Sequence, residues 1–198
     1  MKRADLVEEI LSIELEMFLS VPTEGKSPCQ DHPESFKLHR RAQFSAWSDN
    51  TLSSYLADLR EAKEQRQNLM THKYARMQGL IPEAHGGAND SARIVDDIVR
   101  IHFGWQEEMF RKYPAFMSGA RPLGSSEDTG RATSFETYLR GELDSYSERT
   151  LALLRADMLS MRERGMNMSE EVYEFLVKKL GYSSLAEAER TLVERHRG

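Results

Sequence analysis

Apolar residues return every three or four positions along most of the chain, and no stretch alternates apolar with polar as a half-buried strand would. Leu6, Ile10, Ile13, Met17 and Val21 form one such stripe, and Ile94, Ile98, Ile101, Trp105 and Met109 form another. A helix turns ~100° per residue, so this spacing gathers each set on one face. The chain is therefore predicted to be all-α. Its 198 residues are enough for one domain with a real buried core.

Cap and breaker residues divide the pattern. A first helix is expected over about residues 3 to 20, ended by Pro22 and Gly25. The loop "VPTEGKSPCQDHPES" follows, with Ser35 as candidate N-cap of a second helix over about 36 to 47. Ser48 or Asn50 caps a long segment over about 51 to 80, which kinks or divides at Arg66 to Asn68. Pro82 and "HGGANDS" read as a loop, and Ser91 starts a helix running to about Lys112. The longest irregular stretch is "YPAFMSGARPLGSSEDTGRAT", a length that in compact domains is often functional. Thr133 with Glu136 fits a capping box that opens a helix to about Arg164. Ser169 opens another helix, closed at Gly181, and Ser184 with Glu187 fits a second capping box. These readings give a bundle-like single domain of about seven helices, with residues 1–165 as the main body and residues 166–198 as a small C-terminal helix pair packed on its side.

Charge narrows the partners. A net charge of -5 and a pI near 5.7 argue against a large nucleic-acid or acidic-membrane footprint. No window approaches the ~20 apolar residues of a membrane span, and Asp5, Glu8, Glu9, Glu14 and Glu16 interrupt any signal-peptide core. The single cysteine, Cys29, excludes an internal disulfide and points to a reducing cytoplasm.

Polar groups on the apolar faces carry the functional signal. Glu14 falls between Val7, Ile10 and Phe18, whereas Glu16 falls on the opposite, solvated side. Arg40 and Gln43 lie between Phe36, Phe44 and Trp47, and His102 lies beside Ile98 and Met109. Glu142 lies among Phe135, Tyr138, Leu139 and Tyr146. A carboxylate taken out of water unpaired costs several kcal/mol, so each inward acid needs a partner or a proton. Arg40, with its planar fork of donors, is the expected counter-ion.

Other chemistries find less support. A di-metal carboxylate bundle needs Glu-x-x-His pairs, and none stands at helical positions here. Cys29 and His32 have a ligand-like spacing but no second pair to complete a zinc site, and a single metal held by Glu14, Glu142 and His102 has no support from spacing. No metal is therefore expected, and the sequence names no cofactor and sets no oligomeric state. Cys29 becomes a nucleophile only where His32 or His39 lowers its pKa.

Several long motifs carry a resemblance: "IELEMF" at 13 to 18, "CQD" at 29 to 31, "FKLHRRAQFSAW" at 36 to 47, "SYLADL" at 54 to 59, "NLMTHKYARM" at 68 to 77 and "SFETYLRGELDSYSERTL" at 134 to 151. On these the chain resembles a bacterial family, the domain-of-unknown-function family numbered 4125. The resemblance implies a helical fold and no assigned activity. It draws attention to Glu14, Glu16, Cys29, Gln30, Arg40, Gln43, Asn68, Lys73, Tyr74, Glu136, Tyr138, Arg140, Gly141 and Glu142. The chain departs from the family pattern at Leu15, where a tryptophan is usual, and at His72, where a glutamate is usual.

Two functional readings stand side by side. In the first, Glu14, Arg40, Gln43 and Glu142 line an interior pocket for a small polar metabolite or ion, with Tyr74, Tyr138 and Trp47 as walls and Lys73 near the mouth. Asn68, His102, Arg140 and Tyr146 complete that candidate binding set. Any reaction would draw on Glu14 or Glu142 as a desolvated general acid or base with a raised pKa. In the second, the protein is a non-enzymatic interaction or assembly protein, its polar network only fixing helix packing. Lys73 and Tyr74 then read as a snorkelling lysine and a packed tyrosine.

Overall fold

Side-chain caps decide where most of the helices begin. Ser48, Asn68, Ser134, Ser147 and Asn167 each accept a hydrogen bond from the backbone N–H three residues on, satisfying a donor that has no partner inside its helix. The computed structural model describes residues 1–22, 30–82, 84–85, 90–129 and 132–197. Among them run α1 (Arg3–Leu19), α2 (Pro33–Ser45), α3 (Asp49–Glu64), α4 (Leu69–Met77), α5 (Asp90–Lys112), α6 (Pro114–Met117), α7 (Phe135–Leu143), α8 (Glu148–Glu163), α9 (Met168–Lys179) and α10 (Leu185–Arg197). A 3-10 turn at Ser125–Glu127 and one isolated bridge, Thr129 to Ala132, complete the regular structure of the described residues.

The all-α class holds, with ten helices among the described residues where about seven were expected. The segment over 51 to 80 divides, because Arg66 adopts a left-handed φ of 57° and Asn68 then caps α4. The helix expected over 134 to 164 also divides. Ser147 caps α8 through Thr150 while its own N–H donates to Asp58 on α3, which holds the break. The third extra helix, α6, lies inside the irregular stretch. Glu189 of α10 accepts from its Ala115 and Phe116 N–H groups.

Several starts shift. α2 begins at Pro33 behind His32 rather than after Ser35, because a proline at the first helical position has no donor to leave unsatisfied. The cap of α7 is Ser134 in place of Thr133, and the Glu136 carboxylate accepts instead from the Ser125 N–H and from Arg140. Asn167 caps α9, and Ser169 is buried inside its first turn. Ser184 accepts the Glu187 N–H as expected, but the Glu187 carboxylate reaches Ser183. Gly25, Cys29 and residues 86–89 of "HGGANDS" lie outside the described residues.

Burial follows the stripes. α1 packs on α2, α3 and α4; α5 packs on α7, α8 and α9; α2 lies against α9, α3 against α8, and α4 against α7. Ile10, Phe44, Leu52, Leu59, Ile98, Leu143 and Leu151 are fully buried in the core these helices share. A smaller cluster of Met109, Met117, Val177, Leu185 and Ala188 joins α10 to α5, α6 and α9. Among the described residues no helix is long and apolar enough to cross a membrane.

One close approach positions the site. At Gly141 of α7 an added Cβ would lie 2.6 Å from Met77 Cγ and 3.2 Å from the Lys73 carbonyl oxygen of α4. Hydrogen in place of a side chain lets α7 settle onto α4, setting Glu142 against Lys73. Gly141→Ala is expected to cost about 1–3 kcal/mol as overpacking, a fall of about 2–12 °C in thermal midpoint. Gly104→Ala, with nothing within 4 Å of the new Cβ in α5, is expected to raise the midpoint. Differential scanning calorimetry of both variants checks the opposite signs.

Candidate functional site

Five helices deliver polar groups to one interior point. The inward faces of α1, α2, α3, α4 and α7 carry Glu14, Arg40 with Gln43, Tyr55, Lys73 and Glu142, and Tyr146 reaches in from the α7–α8 connection. Arg40 binds Glu14 in bidentate fashion, Nε donating to Oε2 at 2.8 Å and Nη2 to Oε1 at 2.5 Å. Its Nη1 donates to Glu142 Oε1 at 2.7 Å and to Gln43 Oε1 at 2.6 Å. Gln43 Nε2 donates to the same Glu142 oxygen at 3.0 Å, and the Tyr146 hydroxyl donates to it at 2.6 Å. Lys73 Nζ donates to Glu142 Oε2 at 2.8 Å, and the Tyr55 hydroxyl donates to Glu14 Oε1 at 2.6 Å.

Glu14 is 0% exposed and Lys73 is 2% exposed, so these charges are removed from water. Two carboxylates meet two cations, and the formal charges cancel. Desolvating each ion costs several kcal/mol, a penalty offset here because every carboxylate oxygen receives a charge-assisted bond. Rings close around the cations: the Arg40 guanidinium lies 4.8 Å from the Phe44 centroid and Lys73 Nζ lies 3.7 Å from that of Tyr138.

The protonation states are fixed in one pattern. Burial pushes the Glu142 carboxyl up, but the charges of Arg40 and Lys73, with hydrogen bonds from Lys73 and Tyr146, outweigh it and hold the group well below its ordinary range. Burial pulls Arg40 and Lys73 down, and their carboxylate partners more than reverse this, leaving both raised. Burial first, then the facing carboxylates, push the Tyr55 and Tyr146 phenols well above 10. The expectation of a raised pKa at Glu142 is thereby overturned. It is a clamped anion.

Beside this network a cavity of about 760 Å³ opens between α2, α5, α7 and α9. Arg40, Gln43 and Glu142 face it from one side, and Phe18, Phe36, Tyr74, Phe135 and Tyr138 form much of the wall. His102, Gln106 and Tyr173 face it from α5 and α9, while His32, His39 and Arg121 stand at its exposed margin. Gln106 Nε2 donates to Ser169 and to Tyr173, both at 3.3 Å. His102 Nδ1 is sealed from solvent and has no hydrogen-bond partner among the described residues; burial lowers this imidazole to about 4, so it is neutral at pH 7.

The structure brings Glu14, Arg40, Gln43, Lys73, Glu142 and Tyr146 together, and places Tyr74, Tyr138 and His102 on the adjoining cavity. Three expected binding residues stand elsewhere. Trp47 is buried behind the network, edge-on to Phe44, Tyr55 and Tyr146. Asn68 is consumed as a helix cap, its Nδ2 donating to the Met17 carbonyl and to Ser20. Arg140 is part-exposed and pairs with Asp96 and Glu136. Lys73 neither snorkels nor stands at a mouth; it lies buried behind Glu142. Glu16 is exposed and pairs with Lys63, as its face required. Sequence reasoning missed Tyr55, which carries an inward signal in its place on the α3 face, and Arg121, which lies in an irregular segment and carries none.

A metal held by Glu14, Glu142 and His102 conflicts with the geometry, since Arg40 already bridges the two acids. Among the described residues no group of three or more His, Cys, Asp or Glu side chains is placed to hold a metal ion. Cys29, with its expected pairings to His32 and His39, lies outside the described residues.

A family model described as Protein of unknown function (DUF4125) matches residues 4–190. No curated protein matches the chain, and no solved structure does.

Arg40→Met strands the buried Glu14 carboxylate, leaving Glu142 with Lys73, and is expected to destabilise by about 3–5 kcal/mol, read as a shift in urea midpoint at unchanged slope. Because the folded-state pKa of Glu142 is depressed, its stabilisation is complete above the unfolded value of about 4.3 and is lost as pH falls through the folded value. Lys73, with a raised folded pKa, contributes fully below about 10.4 and loses its contribution above that. Thermal midpoints should therefore be level across neutral pH and fall on both sides, and Glu142→Gln should flatten the acid limb.

Proposed function

We propose, for a chain that belongs to the DUF4125 family, that the cavity beside the Arg40 network binds a small polar metabolite and that the network is its floor rather than its catalyst. The observation that carries this reading is a cavity of about 760 Å³ whose polar wall, Arg40, Gln43 and Glu142, is held rigid by bonds on its far side. Its volume falls within the range of roughly 300–1,000 Å³ typical of small-molecule sites, and mostly apolar walls with few fixed polar groups are typical of them too. A preorganised wall costs little to order on binding.

Acid–base catalysis by the network is a poor fit, since a general acid or base works best with a pKa near the working pH. The carboxylate of Glu142 is held far below 7, and the cations and phenols are held above their ordinary values. The second reading, a non-enzymatic interaction or assembly protein, draws support from the same saturation, which is what a device for fixing helix register requires. It leaves the cavity unexplained.

Thermal-shift screening of the whole chain against carboxylates, amines, zwitterions and alcohols separates the two. A ligand at 100 times its Kd should raise stability by about 2.7 kcal/mol, or about 5–11 °C. Ala120→Trp fills the margin of the cavity from an exposed position and should abolish the shift while leaving the unliganded midpoint in place. A shift that survives Ala120→Trp, or no shift across the library, would leave the assembly reading standing.

A further inference from the structure

Resting on that reading, we infer that the ligand carries a carboxylate on an apolar, ring-sized body, and that Arg121 receives the carboxylate. Three observations converge. First, the cavity offers a cation no free carboxylate: among the described residues the one acid that lines it is Glu142, and both of its oxygens already hold Arg40, Gln43, Tyr146 and Lys73. An amine entering the cavity would be desolvated without a free anion to meet it.

Second, the lining does hold an uncompensated positive charge. Arg40 is neutralised by Glu14 and Glu142, but Arg121 has no carboxylate within ion-pair distance among the described residues. Other surface cations among the described residues also lack an ion pair, but Arg121 is the one of them that lines the cavity. Arg121 is also held in place. Its guanidinium lies 4.6 Å from the Tyr138 ring centroid, and Nη1 donates to the Thr133 carbonyl oxygen at 3.1 Å. A guanidinium has five N–H donors, and among the described residues this is the one engaged. What is left is a fork of the geometry that binds a carboxylate through two parallel bonds.

Third, the rest of the wall suits an apolar body. Phe18, Phe36, Phe110 and Phe135 present hydrocarbon, and Tyr138 and Tyr74 add ring faces beside the charged end. The irregular segment after α6 thus serves the cavity by carrying Arg121 to its margin.

Isothermal titration calorimetry with matched probes tests this. The probes are 3-phenylpropionate, 3-phenylpropan-1-ol and 3-phenylpropylamine, and the corresponding 2-naphthoate, 2-naphthylmethanol and 2-naphthylmethylamine. At least one carboxylate should bind about tenfold tighter than its alcohol, with the amine weakest, since a hydrogen bond to a charged group adds that much. Arg121→Gln should bring the carboxylate to the level of the alcohol without changing the alcohol, and Arg121→Lys should keep part of the preference. Added salt should weaken the carboxylate and spare the alcohol. Alcohol or amine binding as tightly as the carboxylate would overturn the inference while leaving the cavity as a binding site. A preference that persists in Arg121→Gln would overturn the assignment to Arg121. No binding by any probe would sink both this inference and the binding reading beneath it.

Discussion

The guanidinium of Arg40, set between two buried carboxylates, organises this protein. A side chain from α2 reaches Glu14, 26 residues away on α1, and Glu142, 102 residues away on α7. Hydrocarbon at the same positions could fill space in many registers. A planar fork bonded to Glu14 on one edge and to Glu142 and Gln43 on another cannot, because a slide of any one helix strands a charge in a medium where stranding costs several kcal/mol. Lys73 and Tyr55 extend the same constraint to α4 and α3. The geometry closes only when all five helices stand in place, so the network reports on the whole packing arrangement rather than on one contact.

Saturation has a chemical consequence. A proton-transfer group needs two accessible protonation states near the working pH. Here each partner drives its neighbours toward one state: Arg40 and Lys73 keep Glu142 ionised, and the acids keep the cations and phenols protonated. On the cavity side the network presents a polar wall whose groups are already bonded on their far side. His102 differs, being neutral and, among the described residues, unpartnered at a sealed Nδ1.

How much of this was legible depended on periodicity. Glu14, Arg40, Gln43 and Glu142 could be assigned inward because each lies on a helix with apolar residues three or four positions away. The sequence places Lys73 near a mouth rather than in the interior, because a lysine beside apolar residues reads as a snorkelling one. The break at Asp144 to Ser147 escaped for another reason. Apolar residues keep their helical spacing across it, and Ser147 becomes a cap only because Asp58, distant in sequence, takes its N–H. Asn68 and Arg140 drew attention through the family resemblance, yet their side chains serve a helix start and a surface ion pair. Resemblance singles out residues that matter without saying for what.

Arg40 and Arg121 show what separates a structural charge from one open to a partner. Both line the same cavity, and both lie beside an aromatic ring. Arg40 sits in a regular helix, fully engaged, and removing it would leave buried acids uncompensated. Arg121 sits in a segment between α6 and α7, anchored at one nitrogen, with no acid of its own among the described residues. A fold can hold an uncompensated cation only where water can solvate it, which is why it occurs at the margin and not on the floor. The floor is held by bonds among five helices, and the margin carries the unmet charge. Binding by a carboxylate would meet that charge at the one point of the described lining where the protein has not already done so itself.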